Sequence, residues 1–164
     1  MVGSAALAET CLAVFAGQGE GVDMARTALR FETGLAEKHW VWPAYLQVGV
    51  DFWWVPQFTG QRTDLVALSL TPIYRYVRPR NQSTDWYFEA GAGAYLLSDT
   101  VGNYRTTLPS AFQFGSHIGA GLAFGQHRQY EVGIALQHLS NARIKQPNRG
   151  IDFVQMFFSW RLAD

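Results

Sequence analysis

The sequence has few of the features that several classes of protein require. Its single cysteine, Cys11, cannot form a disulfide within the chain or supply a zinc site of the cysteine-rich kind. No run of about 18 apolar residues occurs, so the sequence predicts no transmembrane helix. Only 16% of the residues are charged, and 13 basic residues balance 13 acidic ones. That balance gives no reason to expect a nucleic-acid partner.

The length of 164 residues suits one domain, and we expect residues 1–164 to form a single unit. Residues 1–9 have neither a basic start nor an apolar core long enough for a secretory signal, so we predict no signal segment. The location of the protein must therefore be inferred from the rest of the sequence.

Apolar residues alternate with polar or small ones along most of the chain, and this period of two predicts β-strands. We predict eight strands, at residues 9–18, 25–36, 44–55, 64–77, 85–97, 111–125, 129–140 and 151–162. Each is long enough to cross a bilayer as a tilted strand, which takes about 9–11 residues.

Two architectures fit this alternation. A soluble sandwich or lipocalin-like barrel puts the apolar face inside, whereas an outer-membrane barrel turns it toward lipid. Glycines and charges of both signs on the opposite face, aromatic residues near strand ends and the low charge content favour the second. The aromatic residues near strand ends are Trp40, Trp42, Trp53, Trp54, Trp86, Tyr130 and Trp160. We predict an all-β, eight-stranded antiparallel transmembrane β-barrel, a multi-pass membrane protein.

The polar face of the predicted strands carries several ionisable residues. Arg30, Arg75, Glu89 and Glu131 are expected to form buried ion pairs inside the barrel, and His117 is expected to face the same interior. We predict a structural role for this group, since neither a paired-carboxylate site nor a metal site has matching spacing.

The most informative segment is HLSNARIKQPN at residues 138–148, which is soon followed by Gly-Ile-Asp at 150–152. His138 and Ser140 share strand parity with the apolar Leu136, and Asp152 shares parity with the apolar Val154. Because residues of one parity line one face of a strand, all three are expected on the lipid-facing side. A histidine, a serine and a carboxylate are the side chains of a base-activated nucleophile.

This segment resembles the signature of the outer-membrane lipid A 3-O-deacylases, the PagL family. The resemblance rests on His-Leu-Ser-Asn-Ala at 138–142, Lys-Gln-Pro-Asn at 145–148 and Gly-Ile-Asp at 150–152. It implies a bacterial outer-membrane barrel with its active site on the lipid-facing exterior, near the outer leaflet. It also implies a cofactor-free serine esterase that hydrolyses the 3-hydroxyacyl ester at position 3 of lipid A, with lipopolysaccharide as its substrate.

The proposed chemistry assigns one role to each of three side chains. Ser140 is the nucleophile, and His138 takes its proton as general base. Asp152 binds the other ring nitrogen, which fixes the tautomer and stabilises the imidazolium.

An oxyanion hole must supply hydrogen-bond donors to the developing negative charge. The resemblance assigns this role to backbone N–H groups around Ala142 and to the side chain of Asn148, while Asn141 either contributes or braces the turn. Neither a metal nor another cofactor is expected.

Three basic residues follow in the same loop. Arg143, Lys145 and Arg149 either bind the phosphates of lipid A or form an ordinary solvated loop.

Two residues depart from the family pattern. The acid of the triad is usually glutamate, whereas this chain has Asp152. Arg143 also occupies a position where a small residue is expected.

Other functions remain open at the level of sequence. A structural or adhesive eight-stranded barrel without chemistry would share the same strand pattern, and so would a phospholipase or an acyltransferase. A homodimer is also left open.

Overall fold

The computed structural model describes residues 9–34, 42–56, 62–81, 83–102 and 105–162, where it contains ten β-strands. Their bounds are β1 (Thr10–Gly19), β2 (Val22–Glu32), β3 (Tyr45–Pro56), β4 (Arg62–Pro79), β5 (Thr84–Leu97), β6 (Val101–Gly102), β7 (Thr107–Leu108), β8 (Phe112–Phe124), β9 (Tyr130–Ser140) and β10 (Ile151–Arg161). In these ranges there is no helix with the length and hydropathy needed to cross a bilayer.

Eight of the strands form a closed antiparallel barrel in the order β1-β10-β9-β8-β5-β4-β3-β2. Pairing of β1 with β10 closes it, so the prediction of an eight-stranded barrel is confirmed. β6 and β7 form a separate two-stranded sheet in the connection between β5 and β8. The sequence did not predict this sheet, because two residues per strand are too few to show alternation.

The clearest difference in strand bounds is at β2, which was predicted from residue 25 and begins at Val22. Glu20 and Gly21 have φ angles of 49° and 77°. Positive φ at both central residues is typical of a type I′ turn, which lets two strands continue up to a two-residue loop. The predicted end of this strand, at residues 35 and 36, lies outside the described residues.

The outer surface of the barrel is apolar, and its interior is largely polar. Along β9, Val132, Ile134 and Leu136 are exposed, whereas Glu131 and Gln137 are buried. A soluble protein buries most of its large apolar side chains, so this arrangement is inverted. An apolar exterior around a polar interior is the pattern of an outer-membrane barrel, as the sequence predicted.

Ion pairs fill the middle of the interior. Arg75 lies 2.6 Å from a carboxylate oxygen of Glu89 and 2.5 Å from one of Glu131, and Arg30 lies 3.1 Å from Glu89. His117 also faces the interior, with its Nε2 3.9 Å from Glu89. The predicted interior pairs are therefore confirmed, and each buried cation has a nearby carboxylate to offset its desolvation.

The strand directions define two rims. The β1–β2 turn and the connections that follow β3, β5 and β9 lie at one end, which we call the upper rim. The turns that follow β4 and β8 lie at the other end, the lower rim. The 141–150 loop, which follows β9, therefore lies at the upper rim beside the segment that joins β5 to β8.

Aromatic side chains form a belt on the exterior at the lower rim. Phe124 and Tyr130 have ring centroids 5.7 Å apart, and Tyr130 stacks on Phe158 at 6.1 Å. Trp86 and Trp160 are exposed at the same end. Such belts lie at the level of the lipid headgroups.

One residue of the predicted belt was assigned wrongly. Trp53 is 1% exposed and faces the interior, where its ring packs against Phe153 at a centroid distance of 5.1 Å. The alternation along β3 requires this, because Trp53 differs in parity from the exposed Phe52. Trp42 is exposed, whereas Trp40 lies outside the described residues.

Candidate active site

A histidine and an aspartate face each other on the exterior, close to the upper rim. His138 of β9 and Asp152 of β10 are directly paired in the strand register. The Nδ1 atom of His138 lies 2.7 Å from Oδ1 of Asp152, which is a short hydrogen bond. The side chains are 49% and 72% exposed, so the pair lies on the barrel surface. Strand parity predicted this outward placement.

Ser140 lies two residues beyond His138 on β9, at the end of the strand. It has the same parity as His138, is half-buried and pairs in register with the exposed Phe114 of β8. Its hydroxyl has no hydrogen bond within the part of the chain that the structure describes. The two Cβ atoms are about 7 Å apart in an extended strand, a gap that a change of side-chain rotamer can narrow.

Gly150 lies directly against the imidazole ring. A Cβ atom built on Gly150 would be 2.8 Å from Cε1 of His138, 3.3 Å from its Nε2 and 2.9 Å from the carbonyl oxygen of Leu139. The φ angle of Gly150 is also positive, at 74°. Glycine meets both requirements, since it has no Cβ and tolerates positive φ. The ring therefore lies between Asp152 at Nδ1 and the 141–150 loop near Nε2.

The first residues of this loop are held in an uncommon conformation. Ala142 and Arg143 have φ angles of 52° and 66°, in the left-handed region. The side chain of Asn141 is buried, and its Nδ2 donates to the carbonyl of Lys145 at 3.0 Å and to the hydroxyl of Ser110 at 3.2 Å. Both bonds are made by that nitrogen, and they tie the start of the loop to Lys145 and Ser110, as bracing of the turn requires.

Asn148 lies further along the same loop and is half-buried. Its Oδ1 is buried without a hydrogen-bond partner, and its backbone N–H donates to the side chain of Gln146 at 3.2 Å. Its Nδ2 donates to no group among the described residues. Unlike Oδ1, this nitrogen is not buried. This nitrogen is therefore an accessible donor.

The three basic residues of the loop are all exposed to solvent. They are Arg143, Lys145 and Arg149, and the backbone N–H of Arg149 donates to the carbonyl of Thr107 at 3.2 Å. Their charges lie at the upper rim, next to the His138–Asp152 pair.

The connection between β5 and β8 supports the 141–150 loop, and the sequence did not predict this contact. The hydroxyl of Thr106 donates to the carbonyl oxygen of Gly150, and Thr107 forms a β-bridge with Gly150. Ser110 accepts the hydrogen bond from Asn141. These partners are 31 to 44 positions apart in sequence, so no local spacing could have revealed them.

An exterior groove leads away from the pair. Its upper part is a hollow of about 390 Å³ whose lining includes Ser116, His138 and Asp152. The register places Ser116 of β8 opposite His138. The sequence analysis did not single out this residue, although a hydroxyl on an otherwise apolar strand face could have indicated it. No group of three or more His, Cys, Asp or Glu residues that could hold a metal ion occurs in the described ranges.

The groove continues toward the lower rim as a larger hollow of about 670 Å³. The two hollows share Ile118, Leu136 and Val154 in their walls. The small side chains of Ala90 and Ala120 form part of the lower hollow. The exterior groove is therefore an apolar channel that starts at the His138–Asp152 pair and runs along the lipid-facing wall.

Comparison with known proteins is consistent with this geometry. The family profile described as "Lipid A 3-O-deacylase (PagL)" matches residues 23–161. The lipid A deacylase PagL of Bordetella bronchiseptica is 33% identical over 117 residues, which cover 70% of this chain and 60% of that protein. The lipid A deacylase PagL of Pseudomonas aeruginosa is 38% identical over 93 residues, 56% of this chain and 51% of that protein. The matched segments thus span between half and three fifths of these relatives.

Solved structures agree with the fold. The crystal structure of the outer membrane enzyme PagL aligns with a TM-score of 0.71 and 27% identity, covering 94% of this chain and all of that one. The N-terminal β-barrel domain of Pseudomonas aeruginosa OprF aligns at 0.52 with 10% identity, over 94% of this chain and 97% of that one, a likeness of fold alone. With the profile match over most of its length and the barrel in common, this chain belongs to the lipid A 3-O-deacylase (PagL) family of outer-membrane proteins.

Proposed function

We propose that this protein is an outer-membrane serine esterase that removes the 3-hydroxyacyl chain from position 3 of lipid A. The observation that carries the proposal is the 2.7 Å hydrogen bond between His138 and Asp152 on the lipid-facing surface. An enzyme that acts on a soluble substrate has no use for such a pair on its membrane face. A substrate that is itself a membrane lipid reaches the pair without leaving the bilayer.

In the first half of the reaction, the hydroxyl oxygen of Ser140 attacks the carbonyl carbon of the ester. Its proton passes to Nε2 of His138, and the positive charge of the imidazolium is stabilised by Asp152 at Nδ1. The tetrahedral intermediate collapses when the bond to the sugar oxygen breaks, and His138 returns the proton to that oxygen. The products of this half are deacylated lipid A and an acyl ester on Ser140.

In the second half, water replaces the sugar oxygen. His138 takes a proton from the water as its oxygen attacks the acyl carbon, and the new intermediate expels the Ser140 oxygen. The proton returns to Ser140, and a free 3-hydroxy fatty acid leaves. No atom changes its oxidation state in either half, so nucleophilic catalysis by Ser140 with proton transfer by His138 is sufficient.

The negative oxygen of each intermediate needs hydrogen-bond donors. We assign this role to the backbone N–H groups around Ala142 and to Nδ2 of Asn148, which has no partner among the described residues. The buried bonds of Asn141 to Ser110 and Lys145 keep this part of the loop in its left-handed conformation. Donors fixed in advance stabilise the transition state without a further cost of reorganisation.

The substrate has apolar and charged parts, and the surface offers a counterpart to each. The acyl chain that is removed lies in the exterior groove, past Leu136 and Val154. The exposed Arg143, Lys145 and Arg149 face the headgroup region, where guanidinium groups bind phosphate well. Since one chain supplies both members of the His–Asp pair, a homodimer, which the sequence left open, is not needed to form it.

The first experiment incubates purified lipid A with the detergent-solubilised protein and follows the lipid by mass spectrometry. We expect loss of one hydroxyacyl mass and appearance of free 3-hydroxy fatty acid with the wild-type protein only, and none with Ser140→Ala. Ser83→Ala, a matched change in the turn at the lower rim, serves as the control. Intact lipid A with a demonstrably folded wild-type barrel would indicate a structural or adhesive role. A phospholipid product would indicate a phospholipase or acyltransferase.

A second experiment tests which serine is the nucleophile, because Ser116 and Ser140 both neighbour His138 on the exterior. A fluorescent phosphonate that reacts with activated serines should label the wild-type protein and Ser116→Ala but not Ser140→Ala. Loss of labelling in Ser116→Ala alone would transfer the role of nucleophile to Ser116.

A further inference from the structure

A second feature of the exterior lies at the lower rim, away from the candidate active site. β4 ends there with Arg78 and Pro79, Arg80 follows directly, and both arginines are exposed. Arg78 pairs in register with Trp86 of β5, a residue of the aromatic belt. Arg78 is therefore the last outward-facing residue of β4, and Arg80 lies directly beyond the end of that strand.

The two arginines line a common hollow of about 440 Å³, together with Pro79, Trp86 and Phe88. The guanidinium of Arg80 lies over the ring of Trp86, 5.5 Å from its centroid. Such cation–π contact holds the guanidinium near the surface while leaving its N–H groups free to donate. The hollow thus combines an aromatic wall with two cations.

Other arginines at the lower rim have carboxylate partners, which Arg78 and Arg80 lack among the described residues. Arg128 is paired with Asp85, and Arg161 lies 2.9 Å from Glu9. Within the described ranges, neither Arg78 nor Arg80 has a carboxylate partner. The hollow therefore has an excess of positive charge that no described side chain offsets.

The hollow also continues into the exterior groove. Phe88 lines both the hollow and the lower part of the groove, and Tyr76, one outward position before Arg78, lines the groove as well. The positive charges therefore lie at the headgroup level marked by Trp86, and an apolar channel rises from them along the barrel wall. A ligand that fits both must have an anionic head and an apolar tail.

We propose that this hollow binds an anionic phospholipid of the inner leaflet. Arg78 and Arg80 donate hydrogen bonds to its phosphate, and one of its acyl chains lies against Phe88 and Tyr76. Clusters of arginine at a membrane interface favour anionic headgroups over zwitterionic ones. The proposal rests on the proposed function only for orientation, because an upper rim that acts on the outer leaflet places the lower rim at the inner leaflet.

Native mass spectrometry of the full protein in detergent tests this directly. The protein is mixed with equal amounts of phosphatidylglycerol and phosphatidylcholine that carry the same acyl chains, and the retained lipid is identified. We expect the wild-type barrel to retain phosphatidylglycerol. The preference should fall about thirtyfold in R78Q/R80Q, the factor expected for the loss of two arginine contacts to an anionic lipid.

A matched variant separates a built site from a general effect of charge. R143Q/R149Q removes the same charge at the upper rim and should leave the preference for phosphatidylglycerol unchanged. An equal loss in both double variants, or a wild-type protein without preference, would overturn the proposal. Inorganic phosphate added in excess should not displace the lipid, and displacement would mean that the hollow is a phosphate site rather than a lipid site.

The same variant keeps this proposal separate from the enzymatic one. R78Q/R80Q should release 3-hydroxy fatty acid from lipid A in detergent at the wild-type rate, because its changes lie at the opposite rim. Deacylation without lipid preference would refute the phospholipid site alone, and lipid preference without deacylation would refute the enzymatic function alone.

Discussion

Replacement of Gly150 by alanine is the sharpest test of how the candidate site is built. The new Cβ would be 2.8 Å from Cε1 of His138 and 2.9 Å from the carbonyl oxygen of Leu139. The carbonyl belongs to the backbone of a barrel strand and has little freedom, whereas the imidazole ring is half-exposed and can move. We therefore expect the substitution to displace His138.

The size of the effect follows from the contact. Carbon atoms pack favourably at about 3.5–4.0 Å, so the ring must retreat by about 1 Å. A misplacement of about 1 Å in a catalytic group can cost about 100-fold in rate. The left-handed backbone adds strain of about 1–2 kcal/mol for any residue with a Cβ, which lowers the free energy of unfolding. The expected result is a loss of kcat of about 100-fold, with KM nearly unchanged.

Gly21 provides a matched control. Its φ angle of 77° is close to the 74° of Gly150, but a Cβ there would meet no atom within 4 Å. Gly21→Ala thus introduces the same strain without the collision, and it should lose stability in urea but keep its rate of 3-hydroxy fatty acid release. If Gly150→Ala were as active as Gly21→Ala, the contact between Gly150 and the imidazole would have no part in catalysis.

Three further changes give separate tests of the site and its support. Asp152→Asn should lower kcat by up to about 10,000-fold, because the imidazole of His138 is no longer held in the correct tautomer and orientation. Asp152→Glu should keep most of the activity. Equal rates of lipid A deacylation in the two variants would argue against the triad. Thr106→Val removes the donor to the loop carbonyl of Gly150 and should lower kcat about fivefold, with Thr106→Ser restoring it, since one such bond contributes about 1 kcal/mol. Arg75→Met removes one of the two arginines that pair with both Glu89 and Glu131, and leaves only Arg30 to offset the two carboxylates. It should lower the free energy of unfolding by about 3–5 kcal/mol in a urea titration, and an unchanged midpoint would mean that Arg75 adds nothing to stability.

Much of the barrel could be predicted from the sequence because its cause is local. A period of two sets the face of every residue in a strand, so the outward placement of His138 and Asp152 followed from Leu136 and Val154 on the same strands. Trp53 was assigned to the exterior belt because it lies near a strand end, although its parity puts it on the interior face. Alternation indicates which way a side chain points, and within the described ranges it agrees with the faces of the strands.

The supporting contacts could not be predicted, because their cause is not local. Thr106 and Ser110 meet the 141–150 loop through the closure of the barrel, which brings the connection between β5 and β8 beside the one between β9 and β10. The short strands β6 and β7 shape that connection, and they have no periodic pattern. The sequence thus indicated the residues of the candidate triad and their outward face, while the geometry that holds them depends on contacts between distant residues.

Hydrogen bonds in the barrel interior help to fix the register of β9 and β10, and the candidate active site depends on that register. His138 faces Asp152 only because β9 and β10 pair as they do, and a slip of one residue would turn one partner inward. On the inner side, Gln155 of β10 donates to Gln137 of β9, and Arg26 donates to the same oxygen at 3.0 Å. Gln137 is next to His138 in sequence, so a slip that separates the exterior pair would also break these buried bonds. Leaving buried polar groups without partners is costly, and the polar interior thereby stabilises the register on which the exterior His–Asp pair depends.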